Sequence, residues 1–98
     1  MPERRHARKP AVSRFHCSPA VAWAVEQTGL TLLHRETGRT RALPYPQAAL
    51  WDLLSRARPW NRLGETMAAI MGVDRVVAEA WMKDTVLDLA QEGWLVES

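Results

Sequence analysis

From Ala20 to Leu43 the chain alternates with a period of two, and Pro44-Tyr45-Pro46 cuts that pattern off. Val21, Trp23 and Val25 alternate with Ala20, Ala22 and Ala24, giving one bulky and one small face, as in a strand packed on one side. Leu30, Leu32 and His34 then alternate with Thr31, Leu33 and Arg35, and Arg39-Thr40-Arg41-Ala42-Leu43 follows the turn signal Glu36-Thr37-Gly38. Gly29 and Gly38 can supply the positive φ of tight hairpin turns. The economical reading is three short antiparallel strands in succession. A bare hairpin is marginal in water, so this sheet needs helices on one face and some answer to its open outer edge.

Pro44 and Pro46 have no N–H to donate to a sheet ladder and restrict the residues before them. Pro46 can instead open a helix. Ala49, Leu50, Leu53, Leu54 and Ala57 recur at helical spacing beside Trp51, which predicts a first helix from about Pro46 to Arg56. After Pro59 and Asn61, a second helix carries Leu63, Met67, Ile70 and Met71 on one side and ends at Gly72. Asp74 is a plausible N-cap for a third, longer helix to about Glu92, stopped by Gly93 and followed by the short apolar return Trp94-Leu95-Val96. The expected fold class is α+β, winged helix-turn-helix-like: a three-stranded antiparallel sheet followed by three helices.

The 98 residues, 47% hydrophobic, suffice for one domain with its own core. The single Cys17 excludes an internal disulfide and points to a reduced, cytoplasmic setting. No apolar run of membrane-spanning length or export signal is present, so no membrane partner is expected. Residues 1–14 carry five cations against Glu3, an excess of +4 that leaves −2 for the remainder of a chain whose net charge is +2. Residues 1–18 therefore read as a basic flexible tail and residues 19–98 as the folded domain.

The third helix has more apolar surface than one docking face requires. Ala78, Met82, Val86 and Leu89 gather on one side, while Val76, Ala80 and Leu87 lie on another, extended around by Val77 and Trp81. One stripe docks the helix on its own core. The second needs a partner: the sheet, a second copy of the chain, or a ligand.

No catalytic constellation is present. His6, His16 and His34 lie far apart, the lone Cys17 sits beside His16, and no Cys-x-x-Cys pair, His-x-x-x-His spacing, phosphate loop or nucleophile elbow occurs. Neither an enzyme nor a bound cofactor or metal is expected. The order of strands and helices also suits a DNA-binding winged helix, but the third helix sets Arg75 and Lys83 against Asp74, Glu79, Asp84, Asp88 and Glu92. That balance repels phosphate and disfavours nucleic acid.

Gly29 to Val96, with the hairpin glycine, Trp51 in the first helix, Gly72-Val73-Asp74 after the second, and the Leu89…Gly93-Trp94-Leu95 ending, resembles the PqqD family. These are small peptide chaperones of pyrroloquinoline quinone biosynthesis, related to the recognition domains of ribosomally made peptide natural products. The chain departs from the family pattern at Ser55-Arg56-Ala57-Arg58-Pro59, where relatives often carry Asp-Gly, and at Trp81, where an acidic residue is common.

The resemblance implies a non-catalytic chaperone that binds the leader of a precursor peptide and presents it to a modifying enzyme such as a radical SAM enzyme, a cyclase or a leader peptidase. In such relatives the leader lies as an added strand beside the third strand, walled by the third helix. By that mode Arg39, Thr40, Arg41, Ala42 and Leu43 supply the ladder, and Val76, Val77, Ala80, Trp81, Asp84 and Leu87 line the wall. Which stripe of the helix faces the groove stays open at this level. Arg39 and Arg41 serve either to pair with acidic leader residues or to guard the edge against aggregation. The competing reading is a homodimerisation or enzyme-subunit module using the same edge and some of the five tryptophans.

Overall fold

Proline and glycine punctuation divides the chain into short elements, and the computed structural model describes residues 12–97 of it. A 3-10 turn at Val12–Arg14 leads into β1 (Phe15–Cys17). The alternating segments form β2 (Val21–Glu26), β3 (Gly29–His34) and β4 (Thr40–Pro44). The helices are α1 (Gln47–Ser55), α2 (Trp60–Met71) and α3 (Arg75–Gln91), and the chain closes with β5 (Leu95–Glu97).

β2, β3 and β4 form an antiparallel sheet in that order, with Trp23 opposite Leu32 and Leu32 opposite Arg41. Every second residue of β3 therefore faces the helices, which buries Leu30 and Leu32 beside Leu43 of β4. Leu50, Trp51 and Leu54 of α1, Leu63 and Met67 of α2, and Ala78, Met82, Val86 and Leu89 of α3 close on them. Each such large side chain contributes about 1.5–3 kcal/mol by leaving water. Trp51 is completely buried, whereas Trp23, which meets it edge to face with centroids 5.6 Å apart, stays 40% exposed.

The boundary of the domain falls earlier than the sequence suggests. Residues 1–11 of the basic segment lie outside the described residues, but Phe15–Cys17 pair antiparallel with Leu95–Glu97 in a second, two-stranded sheet. Ser18 continues the tie, its N–H donating to the Trp94 carbonyl at 3.0 Å. The return that makes this pairing possible is a Schellman turn after α3. Gly93, at φ 86°, donates to Ala90, and Trp94 donates to Leu89. Trp94 is thereby carried back into the core, 1% exposed.

Gly29 is needed where β3 begins against β4. A Cβ there would collide with the Leu43 carbonyl, so Gly29→Ala should cost about 1–3 kcal/mol through forced displacement of the ladder. A lowered urea midpoint at unchanged slope would show it.

Candidate functional site

In an antiparallel pair, successive residues point their backbone groups alternately toward the partner and away from it. The His34 N–H donates to the Arg39 carbonyl at 2.9 Å, and the register runs Leu32 to Arg41 and Leu30 to Leu43. Arg39, Arg41 and Leu43 thus turn their backbone groups inward to β3. Thr40, Ala42 and Pro44 turn theirs outward, where no strand of the described residues pairs with them. Pro44 has no N–H, so the edge offers two donors, at Thr40 and Ala42, and three carbonyls.

The side chains of β4 alternate in the opposite sense to solvent and helices. Thr40 and Ala42 are exposed, Leu43 is core at 1% exposure, and Arg39 and Arg41 reach toward the end of α3. Arg41 Nη1 lies 2.5 Å from Glu92 Oε1, and Arg41 Nη2 lies 3.7 Å from Asp88 Oδ2. Arg39 donates to the Glu92 carbonyl at 2.6 Å and sits 5.1 Å over the Trp94 ring. Both arginines are therefore engaged on α3: Arg39 satisfies a carbonyl the helix end leaves open and places positive charge at its negative pole.

These contacts bring the Asp88 and Glu92 side of the end of α3 to β4. Asp88 and Glu92 are four residues apart, and Asp84, Trp81 and Val77 continue their line at helical spacing. Val77 is 52% exposed and Trp81 half-buried. Val76 and Leu87 lie on a neighbouring line, about 100° around the helix, and Ala80 sits between the two. Of the wall residues expected from the sequence, Val77, Trp81 and Asp84 lie on the same helical line as Asp88 and Glu92. Val76 and Leu87 do not. Asp88, Glu92 and Trp94, which the sequence reading did not include, complete the end of the cleft. Their only sequence signal is the spacing of Asp84, Asp88 and Glu92.

The Arg41 guanidinium, followed by a hydrogen bond from Trp94 Nε1 at 2.9 Å, holds the Glu92 carboxyl below its usual range. A depressed carboxyl pKa stabilises the fold above the unfolded value, near 4.5, and that contribution is lost as pH falls through the lower folded value. Glu92→Gln should therefore flatten the acid limb of the urea midpoint plotted against pH. The effect is modest, since the carboxyl is 41% exposed. An acid limb identical to that of the unmodified protein would show that the pair adds nothing to folding.

Burial pushes the Cys17 thiol up to about 12, so it stays protonated and non-nucleophilic at neutral pH. Among the described residues no three His, Cys, Asp or Glu side chains are grouped to hold a metal ion. No described helix is long and apolar enough to cross a membrane.

No protein-family model matches the chain, and no curated protein does. Two solved structures do. TbiB1 in complex with the TbiA(beta) leader peptide is 28% identical, with a TM-score of 0.76 over 82% of this chain and 93% of that one. A lasso peptide synthetase B1 complexed with the leader peptide is 20% identical, with a TM-score of 0.76 over 85% of this chain and 98% of that one, which establishes likeness of fold. The sheet of three antiparallel strands followed by three helices thus belongs to a chain that is similar in fold, over more than four-fifths of its length, to two domains solved with leader peptides.

Proposed function

We propose that the chain binds the leader of a ribosomally made precursor peptide as an added strand on β4 and presents it to the modifying enzyme, performing no chemistry itself. The open edge carries the reading: two donors at Thr40 and Ala42, which no described strand pairs, sit beside an α3 line that begins with exposed Val77 and half-buried Trp81. Such an edge gives affinity through main-chain hydrogen bonds, and the pockets flanking it give sequence preference. A similar domain, TbiB1, has been solved with a leader peptide. Because the other neighbour is named a lasso peptide synthetase B1, a lasso-type precursor is the first leader to supply, and a leader peptidase or cyclase the first enzyme to pair with it.

Arg39 and Arg41, already engaged by α3, act in this reading as the strut that holds β4 at a fixed distance from the helix. Leader affinity then comes mainly from backbone pairing and apolar contact, since an apolar side chain seated against Trp81 is worth about 1.5–3 kcal/mol. The test is a titration of the isotope-labelled protein with a synthetic leader from the precursor gene nearest its own. Amide signals of residues 40–44 and 77–88 should shift together. Shifts confined to residues 1–14, or a tight dimer by sedimentation that buries β4 against its own copy, would contradict the reading.

A further inference from the structure

The cleft between β4 and α3 is chemically polarised along its length. From the start of α3 to its end, the line facing β4 reads Val77, Trp81, Asp84, Asp88, Glu92. Glu92 is spoken for by Arg41 and the Trp94 indole. Asp88 has only the 3.7 Å approach of Arg41 and remains 60% exposed. Asp84 makes no ion pair with any described residue. The cations of α3 do not offset them: Arg75 is taken by Glu79 at 2.9 Å, and Lys83 lies about 100° around the helix from Asp84 and farther from Asp88. Asp84 therefore stands unpaired among the described residues, and Asp88 is held only by the longer contact with Arg41, which Glu92 shares.

The direction of a guest strand is also fixed. Arg41, near the start of β4, meets the last turn of α3. Past the other end of β4, Tyr45 lines a pocket together with Ile70 in the last turn of α2, from which only Gly72-Val73-Asp74 lead to α3. β4 and α3 thus run in opposite directions. A peptide pairing antiparallel to β4, the more stable mode per residue, runs along α3 in the helix's own direction. It passes Val77 and Trp81 first and Asp84 and Asp88 after.

We infer that the cleft selects leaders in which an apolar residue is followed, toward the leader's C-terminus, by a lysine or arginine, with Asp84 and Asp88 reading that cation. The inference rests on the leader-binding reading. Opposite charges across such a cleft set orientation and specificity more than raw affinity.

The test uses the full chain and the same synthetic leader. The double variant D84K/D88K, at surface positions, should weaken leader binding about tenfold or more at low ionic strength, because it sets like charges against each other. The loss should shrink in roughly 0.5 M salt, and a leader whose Lys or Arg is replaced by Glu should restore binding to the variant. The neutral D84N/D88N should lose a few-fold and show less salt dependence. If the leader shifts the Thr40 and Ala42 amides yet binds D84K/D88K as tightly as the unmodified protein, or has no cation after its apolar anchor, this inference falls and leader binding stands. Absence of any leader binding removes both.

Discussion

Replacing Ala42 with proline should lower leader affinity by about 30- to 1000-fold while leaving the domain folded. The Ala42 N–H points away from β3, so proline removes no bond of the resident ladder, and an edge strand tolerates proline at such a position. Pro44 already occupies the same outward phase two residues on. A docked peptide, in contrast, loses a donor, is left with an unsatisfied carbonyl, and meets the pyrrolidine ring. These effects together cost about 2–4 kcal/mol, and each 1.4 kcal/mol is about tenfold in affinity. Isothermal titration with circular dichroism checks both halves. Retained affinity in a folded A42P protein would remove β4 pairing from the mechanism.

Val77→Glu should weaken the leader by about 10- to 100-fold, while Val76→Glu changes affinity less than about threefold. The two valines are neighbours in sequence and both exposed, at 52% and 78%, so neither substitution disturbs the core. They differ in direction. Val77 belongs to the line that ends on the partners of Arg41, and a carboxylate there must be desolvated when a peptide side chain covers it. Val76 lies about 100° away. Equal losses in both variants would mean that the Arg41 contacts misidentify the wall.

The contrast between these valines marks where sequence reasoning ends. The strands were legible because Val21 to Glu26 and Gly29 to His34 alternate cleanly, and the helices because Leu50, Leu54, Leu63 and Met67 recur at helical spacing between glycine and proline stops. α3 was legible as a helix but not in its rotation, since apolar residues appear on nearly every side of it. Its orientation is set by tertiary contacts of Arg41, which local periodicity does not encode. β1 was illegible for a related reason. Phe15-His16-Cys17 is too short to alternate, follows a basic stretch, and gains its partner some 80 residues later through the turn at Gly93. The same limit applied to Arg39 and Arg41, which read as free edge charges until the end of α3 was placed beside them.

The central claim is that an extended peptide pairs with the outward phase of β4. Amide hydrogen exchange, resolved by residue with and without the leader, tests it most directly. In the free protein the Arg41 and Leu43 amides should exchange slowly and those of Thr40 and Ala42 quickly; with leader bound, Thr40 and Ala42 should become protected while Arg41 and Leu43 change little. Unchanged exchange at Thr40 and Ala42 under saturating leader would contradict the account.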